Sequence, residues 1–127
     1  MIVVDTSVWV SVLRGGSAAP AQTLITLLDA DEVALPLPVR LELSAGVAKS
    51  DRTPLRRALS ALPVLAPSDA TWALMEQWVE RAAGQGQRFG VSDLLIGALA
   101  EEIGAVVWSL DADFQRMEKA GFVHLYS

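Results

Sequence analysis

The stretch MIVVDTSVWV, residues 1–10, decides the fold of this chain. Residues 2–4 are β-branched and apolar, which predicts a short buried strand. An acid follows at once at Asp5, and the pattern then changes to the spacing of a helix over residues 7–13. A buried strand that leads through an acid into a helix is the first unit expected of an α/β chain.

The same alternation continues along the rest of the sequence. Further strands are predicted over residues 33–35, 63–65, 105–108 and 122–125. Helices are predicted over residues 20–30, 38–49, 53–62, 69–83, 91–102 and 111–119, with Thr53 and Ser68 as N-caps of two of them. Short apolar strands between helices are typical of a parallel sheet. We therefore predict one α/β domain over residues 1–127, with a central parallel sheet of about five short strands.

The composition restricts the kinds of site that this domain can carry. The 127 residues include no cysteine, which excludes disulfides, zinc–thiolate sites and thiol nucleophiles. The apolar runs are too short for a membrane span, and Asp5 interrupts the first run too early for a signal peptide. We expect a cytoplasmic protein. With 52% hydrophobic residues, it should also expose apolar surface to a partner or to a second copy.

Four acids stand at or near the expected carboxyl ends of strands. Asp5 follows the first strand, Asp111 follows the fourth, Glu42 lies in the helix after the second strand, and Asp93 begins the helix 91–102. Because function gathers at the carboxyl edge of an open parallel sheet, these four acids could converge there.

Each acid also has a purely structural interpretation. Asp93 and Asp111 stand where N-caps are preferred, Asp5 could form a turn, and Glu42 could be a solvated helix residue. Together, however, four converging carboxylates would repel one another and would need a cation. Oxygen ligands without sulfur favour a hard ion, so the residues point to Mg²⁺ or Mn²⁺.

Four blocks of the chain resemble the motifs of the PIN-domain ribonucleases, and among these the VapC-type toxins of bacterial toxin–antitoxin pairs. MIVVDTSVWV resembles the first strand with its acid-plus-hydroxyl turn, and LPVRLELSAG the segment with the family's glutamate. VSDLLIGALA and WSLDADFQRM resemble the blocks of the third and fourth acids. The resemblance covers the whole chain in the expected order, and it implies a three-layer α/β/α fold.

The resemblance also assigns roles by position. The family's acidic quartet matches Asp5, Glu42, Asp93 and Asp111, with Asp5 and Asp93 at the positions of the principal metal ligands. Supporting hydroxyls match Ser7 and Ser109. Asp113 lies in the same block as Asp111 and is an alternative fourth acid, although Asp111 stands closer to the strand end.

The activity that the resemblance implies is Mg²⁺-dependent endoribonuclease cleavage, with Mn²⁺ as a possible substitute. Water activated by the metal would attack an RNA phosphodiester and leave 5′-phosphate and 3′-hydroxyl ends. The resemblance further implies a homodimer and a cognate antitoxin protein that blocks the site. The antitoxin, rather than this chain, would bind DNA.

The basic residues cluster in one segment of an otherwise acidic chain. Residues 40–57 hold five basic and two acidic side chains, whereas the whole chain has a net charge of −5. Arg40, Arg52, Arg56 and Arg57 could steer RNA phosphates towards Glu42, or they could form an ordinary solvated helix face.

Two other functions remain open on the sequence alone, and a third is disfavoured. The chain could be a non-catalytic protein-binding module that keeps the fold, with its acids serving as caps and turns. It could be a PIN nuclease of housekeeping RNA processing. A phosphoryl-aspartate enzyme is disfavoured, because such enzymes usually place a second acid two residues after the first, where this chain has Ser7.

Overall fold

The parallel sheet predicted from the apolar runs is present, with four strands in the described part of the chain. The computed structural model describes residues 1–16 and 18–127. The strands are β1 (Ile2–Val4), β2 (Val33–Pro36), β3 (Val64–Leu65) and β4 (Val106–Trp108). All pair in parallel, in the order β3-β2-β1-β4. The helices flank this sheet in the expected α/β/α arrangement.

The strand expected over residues 122–125 does not form, so the prediction of about five strands is one too many. Leu125 makes a single parallel bridge to Val107. The segment instead turns inward at Phe122, whose amide donates to the carbonyl of Met117 at 3.0 Å. The ring of Phe122 stacks on Trp78 with 4.8 Å between centroids. Core packing of Phe122 therefore replaces strand pairing at its position.

The helices agree with the predicted pattern except around residues 46–62. Their bounds are α1 Thr6–Leu13, α2 Ala18–Asp29, α3 Leu37–Gly46, α4 Arg52–Leu59, α5 Asp69–Gly84, α6 Val91–Glu102 and α7 Ala112–Lys119. A short 3₁₀ turn, Lys49–Asp51, separates α3 from α4. The predicted N-cap at Thr53 is wrong, because α4 begins one residue earlier and Pro54 is accommodated in its first turn, where amides lack helical partners. The predicted N-cap at Ser68 is confirmed, with Thr71 as its capping-box partner.

The strand order creates the crevice in which a site can form. From β1, the chain crosses to β2 on one side, and β4 later pairs with β1 on the other side. The carboxyl ends of β1 and β4 therefore meet where the strand order reverses, which is the usual ligand site of open parallel sheets. Asp5 follows β1 directly, and Asp111 follows β4 after two residues.

Helix α6 packs closely enough to require a glycine in its buried face. A Cβ atom on Gly97 would lie 2.7 Å from Cε of Met117 and 2.9 Å from Cγ1 of Val123. This close approach ties α6, which carries Asp93, to the end of α7 and the segment behind it. The two elements that bring acids to the crevice are thus parts of one packed core.

Among the helices of the described residues, none combines the length and apolarity that a membrane crossing requires.

Candidate metal centre

Asp5 is the most buried acid of the crevice and is held by two serine hydroxyls. Its residue is 5% exposed. Its Oδ2 atom accepts from Oγ of Ser7 at 2.7 Å, from Oγ of Ser109 at 2.8 Å and from the amide of Ser7 at 3.3 Å. No donor among the described residues reaches Oδ1. One carboxylate oxygen therefore fixes the side chain, and the other remains free to contact a ligand.

The two hydroxyls also join the loops that follow β1 and β4. The Oγ atoms of Ser7 and Ser109 lie 3.3 Å apart. The amide of Leu110 donates to Ser7 at 3.0 Å, and the amide of Asp111 donates to Ser109 at 3.0 Å. The structure therefore places both hydroxyls on the carboxylate of the first acid, Asp5, whereas Ser109 meets Asp111 only through its backbone amide.

Three acids form the acidic cluster, which we define as Asp93, Asp111 and Asp113. One carboxylate oxygen from each lies within 4.8 Å of the others. Asp93 occupies the first turn of α6, and Asp113 the first turn of α7. Asp111 is the N-cap of α7 and accepts the amide of Asp113 at 2.9 Å. Capping and cluster membership are therefore combined in Asp111.

The pKa of Asp93 reflects both its burial and the other acids near it. Burial raises its pKa from 3.8 to about 6, and the negative charges of Asp111, Asp5, Asp113 and Glu42 add to this shift in that order. Ionising Asp93 therefore costs free energy in the metal-free protein, and a bound cation would offset this cost.

Glu42 lies at the margin of this arrangement. It sits on α3, and its Oε1 atom accepts from Oγ of Ser92 at 2.7 Å. Ser92 immediately precedes Asp93, so this contact attaches α3 to the first turn of α6. Glu42 is exposed and lies outside the acidic cluster, and its effect on the pKa of Asp93 is the smallest of the four neighbouring acids.

The donor set fits a hard divalent cation. It consists of carboxylate oxygens supplied by separate segments, and one of the carboxyls has its pKa raised by its neighbours. Oxygen-only coordination suits Mg²⁺ and Mn²⁺. The geometry leaves both Asp111 and Asp113 close to Asp93, so proximity by itself does not choose between them.

The proposed steering arginines are divided between the flanks of α3 and α4. Arg40 and Arg56 line a cavity of about 430 Å³ together with Ser44 and Ser60. Glu42 lines a different cavity, of about 630 Å³. Since residues two apart project from different sides of a helix, Arg40 does not lie beside Glu42 as the sequence suggested. Arg52 and Arg57 are exposed and line neither cavity.

Two residues of the site were missed by the sequence analysis. Ser92 gives no separate signal, because its hydroxyl matters only through the contact with Glu42, fifty positions away. Arg116 follows Asp113 by three residues, a spacing that places two helical side chains within reach. Its Nη1 atom lies 2.9 Å from Oδ1 of Asp113. That ion pair could have been found from the sequence.

Comparisons with known proteins agree with this fold. The family model of the PIN domain matches residues 2–120. The chain belongs to the PIN-domain family. The expected family and fold are thereby confirmed. No curated protein sequence matches the chain.

Several solved structures share the fold of this PIN domain at low sequence identity. A chain in the crystal structure of VapBC2 from Rickettsia felis bound to a promoter DNA fragment has a TM-score of 0.82 and 20% identity, covering 99% of this chain and 98% of that one. For VapBC-1 from nontypeable Haemophilus influenzae the TM-score is 0.78 and the identity 19%, with 100% and 98% covered. For VapBC-5 from Mycobacterium tuberculosis the values are 0.69 and 24%, with 97% and 94% covered.

The raised pKa of Asp93 predicts a specific pH dependence of stability. The folded state holds the Asp93 proton up to about pH 6, whereas an unfolded aspartate releases it near 3.8. This group therefore makes the metal-free protein lose stability as the pH rises from about 4 to 6. Asp93→Asn should raise the thermal midpoint in EDTA at pH 8, and this gain should shrink towards zero near pH 4.

Glu76→Gln is the matched control, because Glu76 lies on the exposed face of α5 away from the cluster. Thermal melts of the three proteins between pH 4 and 8 make the comparison. A thermal midpoint of Asp93→Asn below that of the wild type at pH 8 would contradict the electrostatic account.

Proposed function

We propose that this PIN-domain protein is an Mg²⁺-dependent endoribonuclease that hydrolyses RNA phosphodiester bonds with water. The observation that supports this most directly is the acidic cluster, in which three carboxylates approach within 4.8 Å beside Asp5. The cluster lies at the carboxyl edge of the sheet, where β1 and β4 end. No sulfur or imidazole ligand is needed for this chemistry.

In this proposal the role of each residue follows from its surroundings in the structure. Asp5 and Asp93 hold the cation, Asp5 through the oxygen that the serines leave free. Asp111 and Glu42 complete the acidic site, and Ser7 and Ser109 keep Asp5 in place. A bound Mg²⁺ or Mn²⁺ would lower the pKa of the attacking water and stabilise the charge of the leaving oxygen. Because the acids around Asp93 repel one another, the binding of a cation would relieve this repulsion and stabilise the folded protein.

Removing either of two carboxylates should abolish cleavage without unfolding the protein. We expect Asp93→Asn and Asp111→Asn each to lower the rate of Mg²⁺-dependent RNA cleavage by roughly a hundredfold or more, since metal stabilisation of developing charge is worth several kcal/mol. The measurement is single-turnover cleavage of a labelled RNA pool, with Glu76→Gln as the control. Full cleavage by a folded Asp93→Asn protein would refute the proposed metal site.

We also propose that the protein is the toxin of a toxin–antitoxin pair and that a segment of the antitoxin occupies the apolar groove. We define this groove as the 630 Å³ cavity between α1, α3 and α4, lined chiefly by Val10, Leu13, Leu43, Val47, Leu55 and Ala58. Glu42 and Asp51 add two negative charges to its lining and Arg14 adds one positive charge, so the charged side chains of the lining are negative on balance. An apolar segment with a basic side chain would match this surface and would cover Glu42. The structural likeness to chains in VapBC complexes supports this partner.

The groove can be tested with two apolar residues that are equally exposed. Leu13 lines the groove and is 54% exposed, whereas Ile25 on α2 is 55% exposed and lies outside it. The proposal expects the antitoxin to be encoded by a small reading frame adjacent to that of this chain. We expect Leu13→Asp to abolish co-purification with the product of that reading frame, and Ile25→Asp to preserve it. Both variants should still cleave RNA. If the wild type fails to bind that product, the antitoxin proposal is wrong while the nuclease proposal stands.

A homodimer in the cytoplasm is the assembly that we propose. Trp72 and Val79 are 45% and 52% exposed and stand seven residues apart on α5, so they form an apolar stripe on its outer face. Packing of this stripe against a second copy of the chain would remove its apolar side chains from water. DNA binding by such a complex is assigned to the antitoxin, in line with the net charge of −5 of this chain.

We propose that Arg40, Arg52, Arg56 and Arg57 steer RNA, and that Arg40 and Arg56 act together. Arg40 and Arg56 line one cavity, and no carboxylate among the described residues lies within ion-pair distance of either. Two free guanidiniums beside hydroxyl groups suit a backbone phosphate.

Salt dependence of RNA binding measures this steering. In an Asp93→Asn background, which prevents cleavage, Arg40→Gln combined with Arg56→Gln should reduce the slope of log K against log salt by about 1.4, or about 0.7 for each phosphate contact with a single strand. Arg81→Gln is the control, because Arg81 lies on α5 and contacts Phe122. An unchanged slope in the double variant would exclude phosphate contacts at this cavity.

A further inference from the structure

Arg116 contacts more of the site than its ion pair with Asp113. Its Nη2 atom donates to Oε1 of Gln87 at 2.7 Å and to the carbonyl oxygen of Arg88 at 3.0 Å. Its guanidinium also lies 4.5 Å from the centre of the Phe89 ring. One side chain on α7 is therefore fixed to three consecutive residues of the connection between α5 and α6.

That connection determines where α6 begins. It ends at Gly90, the N-cap of α6, whose carbonyl accepts the amide of Leu94 at 3.0 Å. Asp93 lies three residues beyond Gly90, and Phe89 directly precedes Gly90. Since the chain between Phe89 and Asp93 is short and largely helical, a shift of the connection would move Asp93 with it.

We infer that Arg116 is a positioning residue of the metal centre. It holds the start of α6 against the start of α7, and so sets the separation between Asp93 and Asp111. It also pairs with Oδ1 of Asp113, which neutralises the charge of that carboxylate, whereas the occupied oxygen of Asp111 accepts only a neutral amide. In this inference Asp113 therefore helps to hold Arg116, and Asp111 is the acid that meets a cation together with Asp93. This inference rests on the proposed cation site and decides between the two acids that proximity left open.

Two possible roles of Arg116 predict opposite effects of its loss on cation binding. One role is the brace, by which we mean the contacts of Arg116 with Asp113, Gln87, Arg88 and Phe89, and the other is that of a simple positive charge. A guanidinium close to the acids repels a bound divalent ion, so loss of the charge alone would strengthen cation binding. Loss of the brace would weaken it, because residues that orient metal ligands typically change metal affinity by about 10–100-fold. A planar guanidinium that makes three hydrogen bonds and stacks on a ring cannot be replaced by lysine, whereas a simple positive charge can.

The chain offers a matched control in Arg81. Its Nη2 atom donates to the carbonyl oxygen of Ala120 at 3.4 Å, and its guanidinium lies 5.0 Å from the centre of the Phe122 ring. Arg81 thus combines a carbonyl contact and a ring contact, as Arg116 does, but it has no ion pair with the acidic cluster. Its loss reports the effect of removing such an arginine without disturbing the brace.

Isothermal titration of the metal-free full chain with MnCl₂ tests the inference. We expect Arg116→Gln to weaken Mn²⁺ binding by about tenfold, in line with the range for residues that orient ligands. Arg116→Lys should fail to restore binding, and Arg81→Gln should bind as the wild type does. Hydrogen exchange of the amides of Gln87 and Leu94 should become faster in both Arg116 variants and stay unchanged in Arg81→Gln.

The two candidate acids should separate in the same titration. Asp111→Asn should remove Mn²⁺ binding, whereas Asp113→Asn should weaken it only as far as Arg116→Gln does, and the double variant of Asp113 and Arg116 should be no weaker than either single one. If Arg116→Gln does not fold, Gln87→Ala removes one acceptor of the brace and should weaken binding in the same direction.

Tighter or unchanged Mn²⁺ binding in folded Arg116→Gln would overturn the inference, and so would wild-type binding in Arg116→Lys. These results differ from failure of the proposed function. If the wild type itself takes up no Mn²⁺, the metal centre is wrong. If the wild type binds Mn²⁺ and the Arg116 variants do too, only the positioning role is wrong.

Discussion

Mutual repulsion among carboxylates is the constraint on which the rest of this site depends. Asp5, Asp93 and Asp111 are brought to one crevice by the ends of β1 and β4 and the start of α6. The fold cannot separate them without giving up the strand order that creates the crevice. Each neighbouring polar group can be understood as a response to this crowding, either by donating to a carboxylate or by holding its segment in place.

Those responses differ among the acids. Asp5 is buried and receives three donors on one oxygen. Asp111 caps a helix, and Asp113 has a guanidinium. Asp93 has no such partner among the described residues, and its pKa rises to about 6. The compensation is therefore least complete at the acid that lies among all the others. This is the physical signature expected of a site that a cation completes, and it is harder to explain for a set of helix caps.

The structural and functional interpretations of the acids are compatible with each other. Asp5 and Asp111 are the N-caps of α1 and α7, as a purely structural account requires. Capping uses one oxygen of a carboxylate and fixes its direction, while the second oxygen stays available. In a sheet whose helices start at the carboxyl edge, caps and metal ligands occupy the same positions. What distinguishes a metal ligand from a cap is the free-energy cost of placing several carboxylates close together. That cost is apparent only from the distances between the carboxylates in the folded structure.

The sequence by itself determined the α/β class, most of the elements and the approximate place of the acids. Apolar periodicity and capping are local properties, and β1, α6 and the Ser68 cap lie where these properties predict them. The family followed from four short blocks in the expected order. Where local patterns competed with core packing, as at Phe122, the local prediction of a strand was wrong.

The tertiary structure alone decided how the polar groups are paired. The contact between Ser7 and Ser109 spans 102 positions, and the contact between Ser92 and Glu42 spans 50. It also placed Arg40 on the flank of α3 away from Glu42 and brought Arg116 to the connection that precedes α6. Side-chain direction across a helix and contact between distant segments depend on how all the elements pack. A reading of residue types and spacing has no access to that information.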